Sequence, residues 1–142
     1  MANVIPNSFK AELLSGTHNF ASGGNSFKLA LYTSNPYTTS STAYDTTNEV
    51  SSGGGSGYTT TGLVLQNQSV TAGATSFVDF DDLTFSSATF SAAFGAIYND
   101  TNSDKLVVVL DFGGTKTATN GDFKIVFPAT GTPANAIISL AS

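Results

Sequence analysis

Lys105-Leu-Val-Val-Val-Leu-Asp-Phe112 is the stretch that decides the fold, because it is aliphatic on both faces. That pattern belongs to a strand in the middle of a sheet, covered from both sides. Just before it, Asn99-Asp-Thr-Asn-Ser-Asp104 is a polar turn. The turn is preceded by a strand over Ala93–Asn99, so a hairpin is expected here. Downstream, Asp122–Phe127 alternates Phe123, Ile125 and Phe127 against Asp122, Lys124 and Val126. Upstream, Ser26–Thr33 alternates Phe27, Leu29 and Leu31 with Lys28, Ala30 and Tyr32, a period of two with one buried face. Further strands are expected over Gly62–Asn67, Ser76–Phe80, Leu83–Phe85, Ala88–Phe90 and Asn135–Leu140. Seven or eight short strands between turn signals point to an all-β, antiparallel β-sandwich or a barrel. Most of the eleven phenylalanines fall in or beside these strands and are the expected core.

Residues 1–24 read differently from the single β domain expected over 25–142. Val4-Ile5-Pro6 is a small apolar arm. Asn7-Ser8 is placed to cap a short helix through Phe9, Ala11, Leu13 and Leu14, with Gly16 as its stop. A helix of two turns does not stand alone in water, so it must dock on its own domain or on a neighbour. Residues 34–57 hold no strong strand and include Gly53-Gly54-Gly55. This is a long Ser/Thr/Gly-rich loop, with a helical turn expected near Ala43–Val50 and with Glu49 and Val50 as its pins. Tyr37, Tyr44 and Tyr58 flank it, and tyrosine among Ser, Gly and Asn is a common recognition palette.

Composition narrows the chemistry. The chain has 142 residues, no cysteine and one histidine; charged residues make up 11% and the net charge is −5. An acidic chain without arginine is a poor partner for phosphate backbones or anionic membranes. No apolar run approaches a membrane span, and Met1–Lys10 lacks the pattern of a secretory signal, so synthesis in the cytoplasm is expected. His18 is the one candidate general base, but no Gly-x-Ser-x-Gly elbow is present, and a loop or helix-end histidine bonded to backbone is the plainer expectation. Asp79, Asp81 and Asp82, or Asp45 and Glu49, are candidate carboxylate pairs, but the Trp and Arg that usually hold a sugar are missing. Asp100, Asn102 and Asp104 have the spacing that begins a calcium loop, yet Lys105 stands where its glycine belongs and no glutamate closes it. No catalytic set, cofactor or metal is therefore expected, beyond an opportunistic calcium ion near Asp100 or Asp81.

Seven segments carry a resemblance. They are residues 6–20 (PNSFKAELLSGTHNF), 27–33 (FKLALYT), 42–50 (TAYDTTNEV), 56–62 (SGYTTTG), 94–100 (FGAIYND), 110–118 (LDFGGTKTA) and 121–128 (GDFKIVFP). In order and wording they resemble small virion proteins of tailed bacteriophages, and more narrowly head decoration, or cement, proteins. The resemblance spans residues 5–140. It implies a jelly-roll-like sandwich that forms a dimer or trimer on the outer head surface and ties subunits of the major capsid protein together. Val4, Ile5, Phe9, Leu13 and Leu14 are then the candidate assembly or capsid interface; capping of the domain's own core is the competing expectation for Phe9 and Leu13. The alternative is a tail or fibre component that grips a receptor or glycan through loop 34–57. A cell-surface adhesin module and an enzyme rank below both.

Overall fold

The computed structural model describes residues 3–128 and 135–141. Its elements, in chain order, are α1 (Asn7–Leu14), β1 (Phe27–Tyr32), β2 (Leu63–Val64), β3 (Ser69–Thr71), β4 (Thr75–Asp79), β5 (Leu83–Asn99), β6 (Lys105–Ile125) and β7 (Ile138–Ala141). Strands and isolated bridges account for 46% of the described residues, well above the 20–25% usual in soluble proteins, so the fold is all-β, with one short helix among the described residues. Every pairing is antiparallel. A four-stranded sheet has the order β2-β1-β5-β6 and a three-stranded sheet the order β3-β4-β7. Side chains from both sheets, among them Leu29, Ile97, Phe123, Val78 and Ile138, belong to one buried cluster.

The central hairpin differs from expectation in length. Three expected strands fuse into the 17-residue β5, and two fuse into the 21-residue β6. The register slips between Phe85 and Ala88, Ala88 and Phe90, and Ala92 and Phe94. Each slip is an irregularity that breaks the alternation of side chains without ending the ladder. Polar Ser86-Ser87 and Gly113-Gly114 sit at such places, which is why they read as strand ends. β3 went unrecognised, and β2 has two residues where six were expected.

β1 is buried on both faces, not one. Phe27, Leu29 and Leu31 enter the phenylalanine-rich cluster. Ala30 and Tyr32 enter a second cluster with Tyr37, Ala96, Tyr98, Leu106 and Val109. The cover on this second face is the 34–57 loop and the N-terminal arm. Val4 exchanges both backbone hydrogen bonds with Val109 at 2.9 and 2.8 Å. Thr42 O accepts from Leu106 N at 3.0 Å, and Tyr44 N donates to Asp104 O at 2.9 Å. The edge of β6 is thus closed by these two segments, which removes part of the hazard of an open strand.

The expected cap of α1 is corrected. Pro6 precedes the helix and no side chain caps it; Asn7 is its first residue. Asn7 N instead donates to Thr39 O at 2.9 Å and Ser8 Oγ to Ser41 O at 3.4 Å, so the loop anchors the helix start. Gly16 (φ 78°) ends the helix as expected. No helical turn forms over residues 43–50. Gly62 marks the closest backbone approach: at φ +76° a Cβ there would lie 1.9 Å from Leu29 O, so only glycine fits.

Candidate assembly surface

The five candidate interface residues separate in the structure. Phe9 is buried in the domain's own core, and Ile5 and Leu13 pack against it. Val4 packs on the second cluster. Leu14 alone faces solvent, 90% exposed.

Beside α1 lies a cleft of about 360 Å³ whose lining includes Leu13, Phe20, Val70, Val78, Ile138 and Leu140. Register explains its apolar wall. Val70 pairs with Val78, and Val78 with Ile138, so the three form one row across the small sheet. Leu140, two residues beyond Ile138, lies on the same face. Val78 and Ile138 are in the main core, whereas Val70 is 53% and Leu140 60% exposed. The core-facing side of the small sheet therefore runs past the chain that covers it. Sequence reasoning missed Val70 because β3 was not read, and Leu140, although inside the expected strand Asn135–Leu140, because the pairing of β7 with β4 was not.

The tyrosines expected to form a recognition loop turn inward. Tyr37 and Tyr58 are buried and Tyr44 is half-buried. Glu49 collects three donors: Tyr44 Oη at 2.6 Å, Tyr58 Oη at 2.7 Å and Thr61 N at 2.8 Å. Tyr58 Oη also accepts from Leu31 N at 3.0 Å. Tyr37 Oη lies 2.7 Å from Tyr32 Oη and accepts from Asp45 N at 2.9 Å. Tyr98 Oη donates to Thr61 O at 2.6 Å. Burial first, and for Tyr58 and Tyr44 the hydrogen bond to Glu49 next, holds these hydroxyls above the ordinary tyrosine range. The hydroxyls tie the loop to the sheet, and the pins expected at Glu49 and Val50 are present, with Val50 buried.

His18 is a side-chain node, not a backbone-bonded loop residue. Its imidazole is fully buried; Nε2 lies 2.8 Å from Glu12 Oε2 and Nδ1 lies 3.0 Å from Asn99 Nδ2. Lys105 Nζ donates to the other Glu12 oxygen at 3.1 Å. Burial alone would push the Glu12 carboxyl up, but the bonds to His18 and Lys105 together hold it below 4.5. With both ring nitrogens engaged, no hydroxyl is bonded to His18 among the described residues. Asp100 pairs with Lys28 at 3.2 Å and Asp82 with Lys124 at 3.1 Å. Among the described residues no three His, Cys, Asp or Glu side chains are grouped to hold a metal ion, and no helix is long and apolar enough to cross a membrane.

No family model matches the chain, and neither a curated protein nor a solved structure matches it.

Proposed function

We propose that this chain is a non-enzymatic structural protein of a phage virion, a head decoration or cement protein seated on the outer capsid surface. In this reading the two sheets form a jelly-roll-like sandwich, which their shared core supports. The observation that carries the proposal is the uncovered core-type face of the small sheet. Val70 and Leu140 project from it beside the cleft, and Leu14 lies exposed one residue after the cleft-lining Leu13. Apolar surface presented beside a cleft, without charges of its own, suits a dry protein interface, whose centre excludes Lys, Glu and Asp. The major capsid protein is the proposed partner. A dimer or trimer that touches several capsid subunits makes its later contacts intramolecular, which raises avidity by roughly 10²–10⁴.

The tail or fibre reading needs ligand-facing groups on loop 34–57, and its tyrosine hydroxyls are engaged within the chain. The decoration reading is therefore favoured. Its test is the variant Leu14→Ser/Val70→Ser/Leu140→Ser, assayed on capsids stripped of the protein. Loss of binding by a folded variant supports the surface assigned here; undiminished binding overturns it. Gel densitometry of purified particles checks the location separately, with hundreds of copies expected for a decoration protein and few for a tail tip.

A further inference from the structure

We propose that the His18 node is a protonation-gated latch: its amide network admits the ring only with Nδ1 bare, so a second proton releases α1 from the β5–β6 turn. The inference goes beyond the virion reading and stands without it.

The argument begins with two backbone N–H groups, which cannot become acceptors. Asn102 N donates to Asn99 Oδ1 at 3.1 Å, and Asn19 N donates to Asn25 Oδ1 at 2.8 Å. These bonds fix the orientation of both side-chain amides. Asn99 must then present Nδ2 to Asn25 Oδ1, at 3.1 Å, and to His18 Nδ1, at 3.0 Å. Nδ1 is thereby the acceptor, and the ring proton sits on Nε2, where it is donated to Glu12. Turning Asn99 over would oppose its NH₂ to Asn102 N–H and its oxygen to Asn25 Oδ1. The amide cannot rotate to welcome a second proton.

Charged groups approach the ring from α1 and β6. Glu12 of α1 accepts from Nε2 with one oxygen, and its other oxygen already holds the Lys105 ammonium of β6. On the β5–β6 turn, Asp100 is engaged by Lys28 of β1, and the Asp104 carboxylate acts on Tyr98. The rings of Phe9, Phe20 and Phe27 also surround the imidazole, with centroids 5.0, 6.2 and 6.5 Å away, and His18 borders the cleft beside α1. A proton on Nδ1 would face the Asn99 NH₂, donor against donor, in a site with no water-exposed ring surface. The simplest relief is departure of the segment carrying Glu12 and His18.

The test is ring ¹⁵N NMR of the full chain together with hydrogen exchange of the α1 amides. At about pH 7.5 the expected spectrum has Nε2 protonated and Nδ1 bare. Acidification to about pH 5, the interval in which unperturbed histidine changes charge, should raise α1 exchange on the order of tenfold beyond the intrinsic-rate change, with β1 and β5 amides still protected. His18→Gln keeps one donor and one acceptor but does not titrate, and its α1 exchange should be flat over that interval. An Nδ1-protonated ring at pH 7.5 overturns the proposal. So does a wild-type ring that stays neutral until the whole chain unfolds, or a His18→Gln chain with the wild-type pH response. The first two outcomes need no variant.

Discussion

The two faces of the four-stranded sheet bury aromatic rings by different means. On one face Phe20, Phe27, Phe80, Phe85, Phe90 and Phe123 pack ring on ring, with Phe20 and Phe27 stacked at 4.4 Å. That face meets strands of the second sheet, whose backbone groups are already paired in their own ladders. Its aromatic rings need no polar handle. On the other face Tyr32, Tyr37, Tyr44 and Tyr98 meet a loop, with Tyr58 reaching across to the same Glu49. A loop brings backbone N–H and C=O groups with no ladder to satisfy them, and burial without partners would be costly. Tyrosine supplies apolar area and a hydroxyl together. Tyr32, Tyr37, Tyr44 and Tyr98 thus answer the loop that covers their face, while Tyr58 reaches Glu49 from within the phenylalanine cluster.

Alkali is the largest lever on that difference. Burial holds all five tyrosines above their ordinary value of 10.0 in the folded chain. Below pH 10 both states are neutral and the full stability is present. Above it the unfolded chain loses phenolic protons that the folded chain retains, so stability falls as pH rises. Each tyrosine that stays neutral contributes a slope of about 1.4 kcal/mol per pH unit. The expected result is cooperative unfolding in urea that shifts steeply to lower midpoints above pH 10, with tyrosinate absorbance appearing in step. Free tyrosinate absorbance in a chain still folded would place the hydroxyls outside. Next in size is Phe27→Ala on the opposite face. Phe27 has no exposed surface, and its loss is expected to cost about 3–5 kcal/mol by urea denaturation. Glu49→Ala follows. It strands two buried-side hydroxyls and the Thr61 N–H, for about 2–4 kcal/mol, and should open loop 34–57 to limited proteolysis before the sheets unfold. Equal sensitivity of loop and sheets to the protease would deny the loop its separate anchoring.

The sequence revealed one of these faces far better than the other. Phe27, Leu29 and Leu31 announced the phenylalanine core through their period of two, and Lys105–Phe112 announced a doubly covered strand. Those signals are local. The tyrosine face was not legible, because Glu49 meets Tyr44, Tyr58 and Thr61 only after the chain has folded, and an isolated tyrosine in a Ser/Thr-rich stretch looks the same whether it points in or out. The bent hairpin was hidden for a related reason. Ser86-Ser87 and Gly113-Gly114 carry turn residues, yet β5 and β6 continue through them by shifting register. At the candidate assembly surface, Leu14 follows from the helix pattern, but Val70 and Leu140 join it only through the pairing of β3, β4 and β7.

The finest test exchanges the two ring types in place. Tyr58 and Phe85 stack with centroids 5.6 Å apart, so their environments are nearly one, and they differ in the single oxygen. Tyr58→Phe removes a donor to Glu49 and an acceptor for Leu31 N while leaving the ring packed. The expected cost is about 1–3 kcal/mol, because Leu31 N–H is buried and loses its bond. Phe85→Tyr adds a hydroxyl to a ring that is 1% exposed and sits in the apolar cluster, where it must find a partner or remain unsatisfied. Both changes should destabilise, although one removes an oxygen and the other adds one. If Tyr58→Phe proves neutral in a chain that keeps its alkaline transition, the ring rather than the hydroxyl anchors the loop. In that case Tyr44 and Thr61 alone would account for the hold on Glu49.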